Sequence, residues 1–455
     1  MRTNLEKLLI ICLLILGAAA RVYFYGDLRL SLGNQETQGY IDSSKASLFS
    51  WKSFAGQRLF TTNLIYKLAN NPDKCKLTEI SYPASGHGVN PALQPCFDQI
   101  ALLQNLLGIF GWCFLAWTTS RWLIHFAPRI GIVILILGFA FTPQIAEWDG
   151  LLSPESLSLT LLVISFGVLQ EIVFCTLKNK DKFNSVKNIL LIVVWVIVFI
   201  LWVFVRDVQL YTIPITISLL GLLLLFKDFR KTKIVEILIV ILIGFFILGY
   251  VSAKDGLRAT RYPVEHAYDT FIYPYPKRVE FFNKFGMPDQ KSPIYQQWFD
   301  NNATKLYAYF LLSHPGFVVT TIWNNLNFFK AGFVQPYFKG INTKDRPTLL
   351  SIGELIHPET TAVYLIDSLL IIILCLKAIS QSKTSIIGWT WLAAWFFLSS
   401  MITLLVSFFG DAEGILRHIM PSVESLRLFM WIFLFVLIDG FLNREASEII
   451  GNQIP

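Results

Sequence analysis

Residues 33–46 read Gly-Asn-Gln-Glu-Thr-Gln-Gly-Tyr-Ile-Asp-Ser-Ser-Lys-Ala and follow directly on the first apolar segment of the chain. They put Glu36, Tyr40 and Asp42 where a helix leaves the bilayer. A charged run in that position either caps the helix or works on something at the interface. The rest of the chain repeats the arrangement on the same side of the membrane, which favours an interfacial site over a set of caps.

Outward from this stretch the composition is that of a membrane protein. Of 455 residues, 54% are hydrophobic and 15% charged, against about a quarter charged in soluble domains, and the mean hydropathy is +0.54. Ten apolar spans can be drawn, at 8–25, 100–118, 130–142, 153–176, 189–205, 208–226, 234–251, 362–378, 386–409 and 424–441. Each approaches the roughly 20 residues that cross a bilayer. The first has no small-residue cleavage site followed by a soluble domain, so it reads as a retained helix. The third is short and reads as tilted or partly re-entrant. The fold class is therefore all-α and polytopic, with about ten transmembrane helices. The 38 Phe and 13 Trp are accounted for by lipid-facing and interfacial positions. The net charge of +7 sits in short loops between spans, so no nucleic-acid partner is implied.

Lysine and arginine set the orientation. One side holds Arg2 and Lys7, Arg121 and Arg129, then Lys178, Lys180, Lys182 and Lys187. It continues with Lys227, Arg230, Lys231 and Lys233, then Lys377, Lys383 and Arg444. Alternate loops are basic, which places both termini in the cytoplasm of a cell (plasma or inner) membrane. Two long loops, 26–99 and 252–361, then face outward. In the first, Phe60, Leu64 and Leu68 fall at i, i+4 and i+8, the pattern of an amphipathic helix on the membrane surface. The second is long enough for a small outer subdomain, with helices expected near 294–313 and 314–329. The chain so divides into a transmembrane module at 1–251, the outer subdomain at 252–361 and C-terminal transmembrane helices at 362–455. Cys12, Cys113, Cys175 and Cys375 lie in or beside spans as packing residues. Cys75 and Cys96 share a polar loop and could pair on an oxidising side, a point that spacing does not decide.

Polar residues beside spans on the outer side form a short set: Glu36 and Asp42; Glu147, Asp149 and Glu155; Arg206 and Asp207; Asp411, Glu413, Arg417 and His418. Singly, each can be a cap or a headgroup contact. Ser153-Pro154-Glu155 has the form of an ordinary helix start, with a capping Ser, Pro at the first position and an acid in the first turn. Arg206 has little polar chain around it and suits bidentate contact with a lipid phosphate. Residues 410–421, Gly-Asp-Ala-Glu-Gly-Ile-Leu-Arg-His-Ile-Met-Pro, set an acid before Arg417-His418, and His418 can carry a proton or bind phosphate. His87, His266, His314 and His357 lack metal-ligand spacing and read as structural. Asn302-Ala303-Thr304 matches a glycosylation acceptor, a triplet that recurs by chance.

These residues resemble those of the GT-C superfamily of integral-membrane glycosyltransferases. The chain is similar to the protein mannosyltransferase and aminoarabinose-transferase type, and within it to bacterial hexose transferases of cell-surface glycan synthesis. Such proteins carry an acid, a Tyr about four residues later and an Ala-bearing amphipathic helix after the first span, and Glu36, Tyr40 and Ala46 stand at that spacing, with Glu in place of the common Asp. Residues 151–157 resemble the Glu-bearing start of the fourth span. Val205-Arg206 resembles an outer Arg between spans, with Asp207 where Pro is usual. Glu413, Arg417-His418 and Pro421 resemble the segment before a late span.

The resemblance implies transfer of a sugar from a polyprenyl-phosphate donor to a glycan, lipid or protein acceptor at the outer face, with inversion. In that scheme Glu36 is the base and Asp42 the second choice. Arg206, Arg417 and His418 bind phosphate, and Tyr40, Glu155 and Glu413 support the substrates. Membrane lipids surround the chain, and the carboxylates could hold a divalent metal, though the sequence requires none. A polymerase or ligase of the O-antigen type would rest instead on the second long loop. A transporter of lipid-linked saccharides would need ionisable residues near the membrane midplane, whereas the candidates lie at span ends.

Overall fold

Runs of Leu, Ile, Val and Phe must satisfy their backbone polar groups internally in lipid, and a single chain does so by forming helices. The computed structural model describes residues 4–69, 75–78, 93–178, 185–225, 230, 233–258, 263–340, 344–381, 383–410 and 414–451. Among the described residues no strand forms, and Leu32 makes only isolated bridges to Leu93 and Leu151. The protein is an all-α polytopic membrane protein.

Among the described residues, eight helices are long and apolar enough to cross a membrane: Asn4–Tyr25, Pro95–Trp122, Glu155–Lys178, Val186–Val203, Lys233–Asp255, Ala362–Gln381, Thr384–Gly410 and Ile415–Leu442. The two remaining expected spans depart from that form. The third becomes Phe126–Phe141 and Pro143–Gly150, bent by 53°, because Pro143 brings no N–H to the helix ladder and holds Thr142 extended. The sixth is the shorter apolar run Asp207–Leu223, which opens with a 3-10 turn at Asp207–Tyr211.

The helix Glu155–Lys178 is the centre of the bundle, with 89% of its apolar window buried, against 11% for Asn4–Tyr25 at the lipid. Close approach to the centre depends on small residues. A Cβ on Gly111 would stand 2.9 Å from the Ile164 side chain, and one on Gly108 would meet the Asp149 carboxylate. Towards the basic end, Glu6 pairs with Arg129 at 3.0 Å and Arg121 with Glu171 at 2.9 Å. Towards the other end the buried Arg21 pairs with Asp149 at 2.7 Å. It also donates to Asn105 Oδ1 and the Ala146 carbonyl, and Ser156 donates to the second Asp149 oxygen. Glu147 takes both arms of Arg346, at 2.5 and 2.9 Å. Two expected outer acids are thus absorbed in holding the bundle together.

The first long segment between spans, expected to face outward, folds as short helices at Thr37–Ser44, Trp51–Ala55 and Phe60–Ala69. The expected amphipathic helix forms, and it buries Thr61, Thr62, Asn63 and Tyr66. Leu68, on the apolar face, is 67% exposed. Thr61, Thr62 and Asn63 turn to the protein, Phe60 and Ile65 pack on the core, and Leu68 is left exposed. Cys75 and Cys96 are joined in a disulfide with their Cα atoms 5.6 Å apart, and Cys75 packs beside Tyr40, Tyr66 and Phe97. Closing a loop of that length stabilises a fold by about 3 kcal/mol. Cys96→Ser is therefore expected to lower the midpoint of thermal unfolding in detergent, as is reduction of the unsubstituted protein. An unchanged midpoint under both treatments would contradict this.

The second long segment between spans has its own aromatic core of Tyr268, Phe282, Phe299, Tyr307 and Phe310. The expected helices appear as Tyr295–Ser313 and as Pro315–Asn324 with Leu326–Lys330. Three more, Pro263–Phe271, Pro276–Lys284 and Arg346–Ile356, have too few apolar residues to stand out in the sequence. The Asn302-Ala303-Thr304 triplet lies inside a helix, with Ala303 buried and the Asn302 amide donating to the Trp298 carbonyl.

Candidate active site

Leu32 fixes the site. Its N–H donates to the Gly150 carbonyl at 2.8 Å, and its carbonyl accepts from Leu152 at 2.9 Å. The first long loop is thereby sewn to the residues just before the central helix. Asn34 then shapes the turn: its Oδ1 accepts from the Glu36 N–H at 3.0 Å, and Thr37 Oγ1 donates to the Leu152 carbonyl at 3.2 Å. Glu36 becomes the N-cap of Thr37–Ser44, and Tyr40 lies one turn further on the same face.

Around the Glu36 carboxylate its own helix meets three other segments. Tyr40 donates its hydroxyl to Oε2 at 3.1 Å. Arg58 stands 3.3 Å from Oε2, donates to the Tyr40 hydroxyl at 3.2 Å and lies over the Tyr40 ring, 4.2 Å from its centroid. Arg417 donates through Nη2 to Oε1, and its Nε lies 3.5 Å from Glu155 Oε1. The same Nη2 is 2.9 Å from His418 Nε2. Glu155 is buried, and among the described residues its Oε2 has no hydrogen-bond partner.

Burial alone would push the Glu36 carboxyl up, but Arg417 and then Arg58 outweigh it and hold it at about 2. A carboxyl depressed on folding contributes stability that is complete above its unfolded value and is lost as pH falls towards about 2. Burial pushes the Tyr40 phenol above its usual range, against the pull of Arg58. The phenol is therefore a hydrogen-bond donor at neutral pH.

The other expected residues divide. Asp42 is outside the cluster: Lys45 and Gln38 hold its two oxygens, each at 2.7 Å, and these contacts lower its carboxyl. Two residues along a helix turn a side chain by about 200°, so Asp42 faces away from Tyr40. Arg206 reaches the cluster indirectly, donating to the His418 carbonyl at 3.0 Å. It lines a narrow polar crevice with Ser158, Gln209, Ser400 and Ser422. Asp207 pairs with Arg258 at 2.9 Å. Arg258 also donates to the Gly56 carbonyl at 2.7 Å, and so ties the turn after Arg206 to the first outer segment. Asp411 and Glu413 lie outside the described residues.

Arg417 and His418 belong to the first turn of the helix Ile415–Gly451 and not to a loop. Gly414, at φ +64°, starts that turn, and its carbonyl accepts from both residues. Ser153, expected as a side-chain cap, is buried with Oγ unpartnered among the described residues. Arg58 was not legible as a site residue, because its role depends on a fold-back of 18 positions onto Tyr40. His357, read as structural from its lack of metal-ligand spacing, lies inside the bundle. Buried, it lies 2.5 Å from Glu424, which also takes Arg427 at 2.5 Å, and Arg427 donates to the Lys330 carbonyl.

No protein-family profile matches the sequence, and neither does any curated protein. Among solved structures the chain is similar to archaeal oligosaccharyltransferase AglB from Archaeoglobus fulgidus in complex with an inhibitory peptide and a dolichol-phosphate. The identity is 12% and the TM-score 0.47, covering 98% of this chain and 52% of that one. It is also similar to the apo form of the Archaeoglobus fulgidus oligosaccharyltransferase, at 11% identity and TM-score 0.46, covering 99% and 53%. The chain spans about half the length of these structures.

Proposed function

We propose that this protein is a membrane glycosyltransferase of the GT-C type that moves a hexose from a polyprenyl-phosphate donor to a glycan, lipid or protein acceptor, with inversion. The observation that carries the reading is a carboxylate, Glu36, held at the end of an apolar bundle between a phenol and two guanidinium groups from Arg58 and Arg417.

The chemistry needs these parts. The acceptor hydroxyl loses its proton to Glu36 as its oxygen bonds to the sugar C1. The bond from C1 to the phosphate oxygen breaks, and polyprenyl phosphate leaves with the electron pair. Arg417, with His418 beside it, stabilises the charge that develops on the phosphate, while Arg206 holds the His418 backbone and Tyr40 keeps Glu36 oriented. At about 2 the resting Glu36 carboxyl is too weak a base for neutral pH. A donor phosphate competing for Arg417 would release Glu36 and raise its proton affinity, so donor binding arms the base. Glu155 then becomes the remaining counter-charge that keeps Arg417 in place.

Among the described residues no group of three or more His, Cys, Asp or Glu side chains is placed to hold a metal, and Arg417 lies between Glu36 and Glu155.

The direct test offers labelled polyprenyl-phosphate-hexose and membrane glycan precursors to the purified protein in detergent. Release of polyprenyl phosphate that depends on the acceptor is expected. Intact donor under all acceptors, or joining of preformed glycan repeats in its place, would replace this reading with a polymerase or ligase. Orientation is tested separately. Reporter fusions after Lys180 and after Lys291 are expected on opposite sides, with both termini cytoplasmic and the Glu36 face outside. Finding both on one side would overturn the outer placement.

A further inference from the structure

A second concave site lies in the segment between the last helix of the first module and the C-terminal helices, and it shares no lining residue with the Glu36 cluster. Its volume is about 710 Å³, within the roughly 300–1,000 Å³ of small-ligand pockets. The helices Pro276–Lys284 and Pro315–Asn324 supply most of its wall. We propose that it binds an anionic saccharide, meaning a sugar ring that carries a carboxylate or a phosphate.

The charge argument comes first. Lys277 and Arg278 line the cavity, and no Asp or Glu does. Arg278 is stacked between two rings, 3.7 Å from the Tyr275 centroid and 4.4 Å from that of Phe317, and one of its nitrogens donates to the Phe271 carbonyl. It makes no ion pair among the described residues. A guanidinium has five N–H donors, so one carbonyl leaves most of them for a ligand. Its planar fork, already fixed by stacking, matches a carboxylate or phosphate at little cost in side-chain entropy.

The sugar argument is independent of charge. Thr320, Thr321, Asn324 and Asn325 line the same cavity. They fall at i, i+1, i+4 and i+5, which is one face of a helix. Hydroxyls and amides both donate and accept, as the vicinal hydroxyls of a sugar require. Asn325 spends its amide N–H on the Thr321 carbonyl at 2.8 Å, which leaves its Oδ1 to accept. The half-exposed Tyr275 ring offers an apolar face for the C–H side of a pyranose. A headgroup phosphate alone would need the cations and would have no use for this row of neutral polar groups. The proposal does not rest on the transfer reading, since it concerns binding at a site remote in sequence from Glu36.

The test is saturation-transfer NMR on the full chain in detergent, with a uronic-acid disaccharide, glucose 6-phosphate and maltose as observed probes, and with inorganic phosphate, which has no carbon-bound protons, read by its competition against glucose 6-phosphate. Saturable binding of the first two is expected, with maltose, which lacks the charge-assisted contact, and phosphate, which lacks the ring hydroxyls, each at least about tenfold weaker. Lys277→Gln and Asn324→Ala alter exposed side chains, so the fold is retained, and each is expected to weaken binding several-fold. Arg278→Gln is expected to abolish it, and Arg278→Lys to restore part. Glu36→Gln is expected to bind all probes as the unsubstituted protein does, whether or not the protein proves to be a transferase. The proposal is overturned if the charged sugars do not bind, or if Lys277→Gln and Asn324→Ala bind them unchanged. Inorganic phosphate binding as tightly as glucose 6-phosphate would also overturn it, and would assign the cavity to a lipid headgroup.

Discussion

Glu36→Gln is expected to bind the polyprenyl-phosphate donor and to turn it over about 10²–10⁴-fold more slowly, the usual loss when a general base is removed. The substitution keeps the shape of the side chain and the acceptor for the Tyr40 hydroxyl, so the loop should hold its place. It removes the proton acceptor and one partner of Arg417 together. Because Arg417 then has only Glu155 as a carboxylate partner, donor affinity should be kept or slightly raised. Asp42→Asn serves as the control. Its carboxylate is occupied by Lys45 and Gln38 on the far side of the short helix, and its rate should stay within several-fold of the unsubstituted protein. Single-turnover measurements decide between them. The reverse ranking would make Asp42 the base and displace the assignment of Glu36. Two unchanged rates would remove the glycosyltransferase reading itself.

Arg417→Ala is expected to act on both binding and chemistry. Losing a charge-assisted contact to phosphate weakens donor binding by about 1.5–3 kcal/mol. Losing a cation aimed at the leaving oxygen costs about a further 10²–10³-fold in kcat. The resting site changes as well. With Arg417 gone, Glu36 keeps Arg58, but the buried Glu155 loses its ion-pair partner, so part of any loss of stability belongs to that orphaned carboxylate. Arg417→Lys separates the effects. It retains the charge and should keep the fold, yet it loses the fork that spans Glu36 and Glu155 and should recover only part of the activity. Arg206→Ala should be milder than Arg417→Ala, because Arg206 reaches the cluster through the His418 carbonyl. Equal donor affinity in the unsubstituted, Arg206→Ala and Arg417→Ala proteins would return both residues to the role of headgroup anchors.

The sequence by itself determined the fold class, because the hydrophobicity of a membrane span is a local property, readable over about 20 residues without knowing what packs beside it. Glu36 and Tyr40 were paired by the family resemblance, and the helix Thr37–Ser44 sets them one turn apart on a shared face. The sequence also set the amphipathic helix at Phe60, Leu64 and Leu68 and marked the third span as irregular, while the bend at Pro143 came from the structure. Tertiary structure alone decided which charges meet. Arg58 reaches Glu36 only because the outer loop folds back over Tyr40, and Arg417 does so from 381 positions away. Glu147 and Asp149 had the same outward signature as Glu36 in the sequence. They were removed from the candidate chemistry by Arg346 and Arg21, partners that no local pattern connects to them. The pairing of Cys75 with Cys96 belongs to the same class. Long-range contacts are set by how helices pack, and packing sums many small terms that a one-dimensional pattern does not carry.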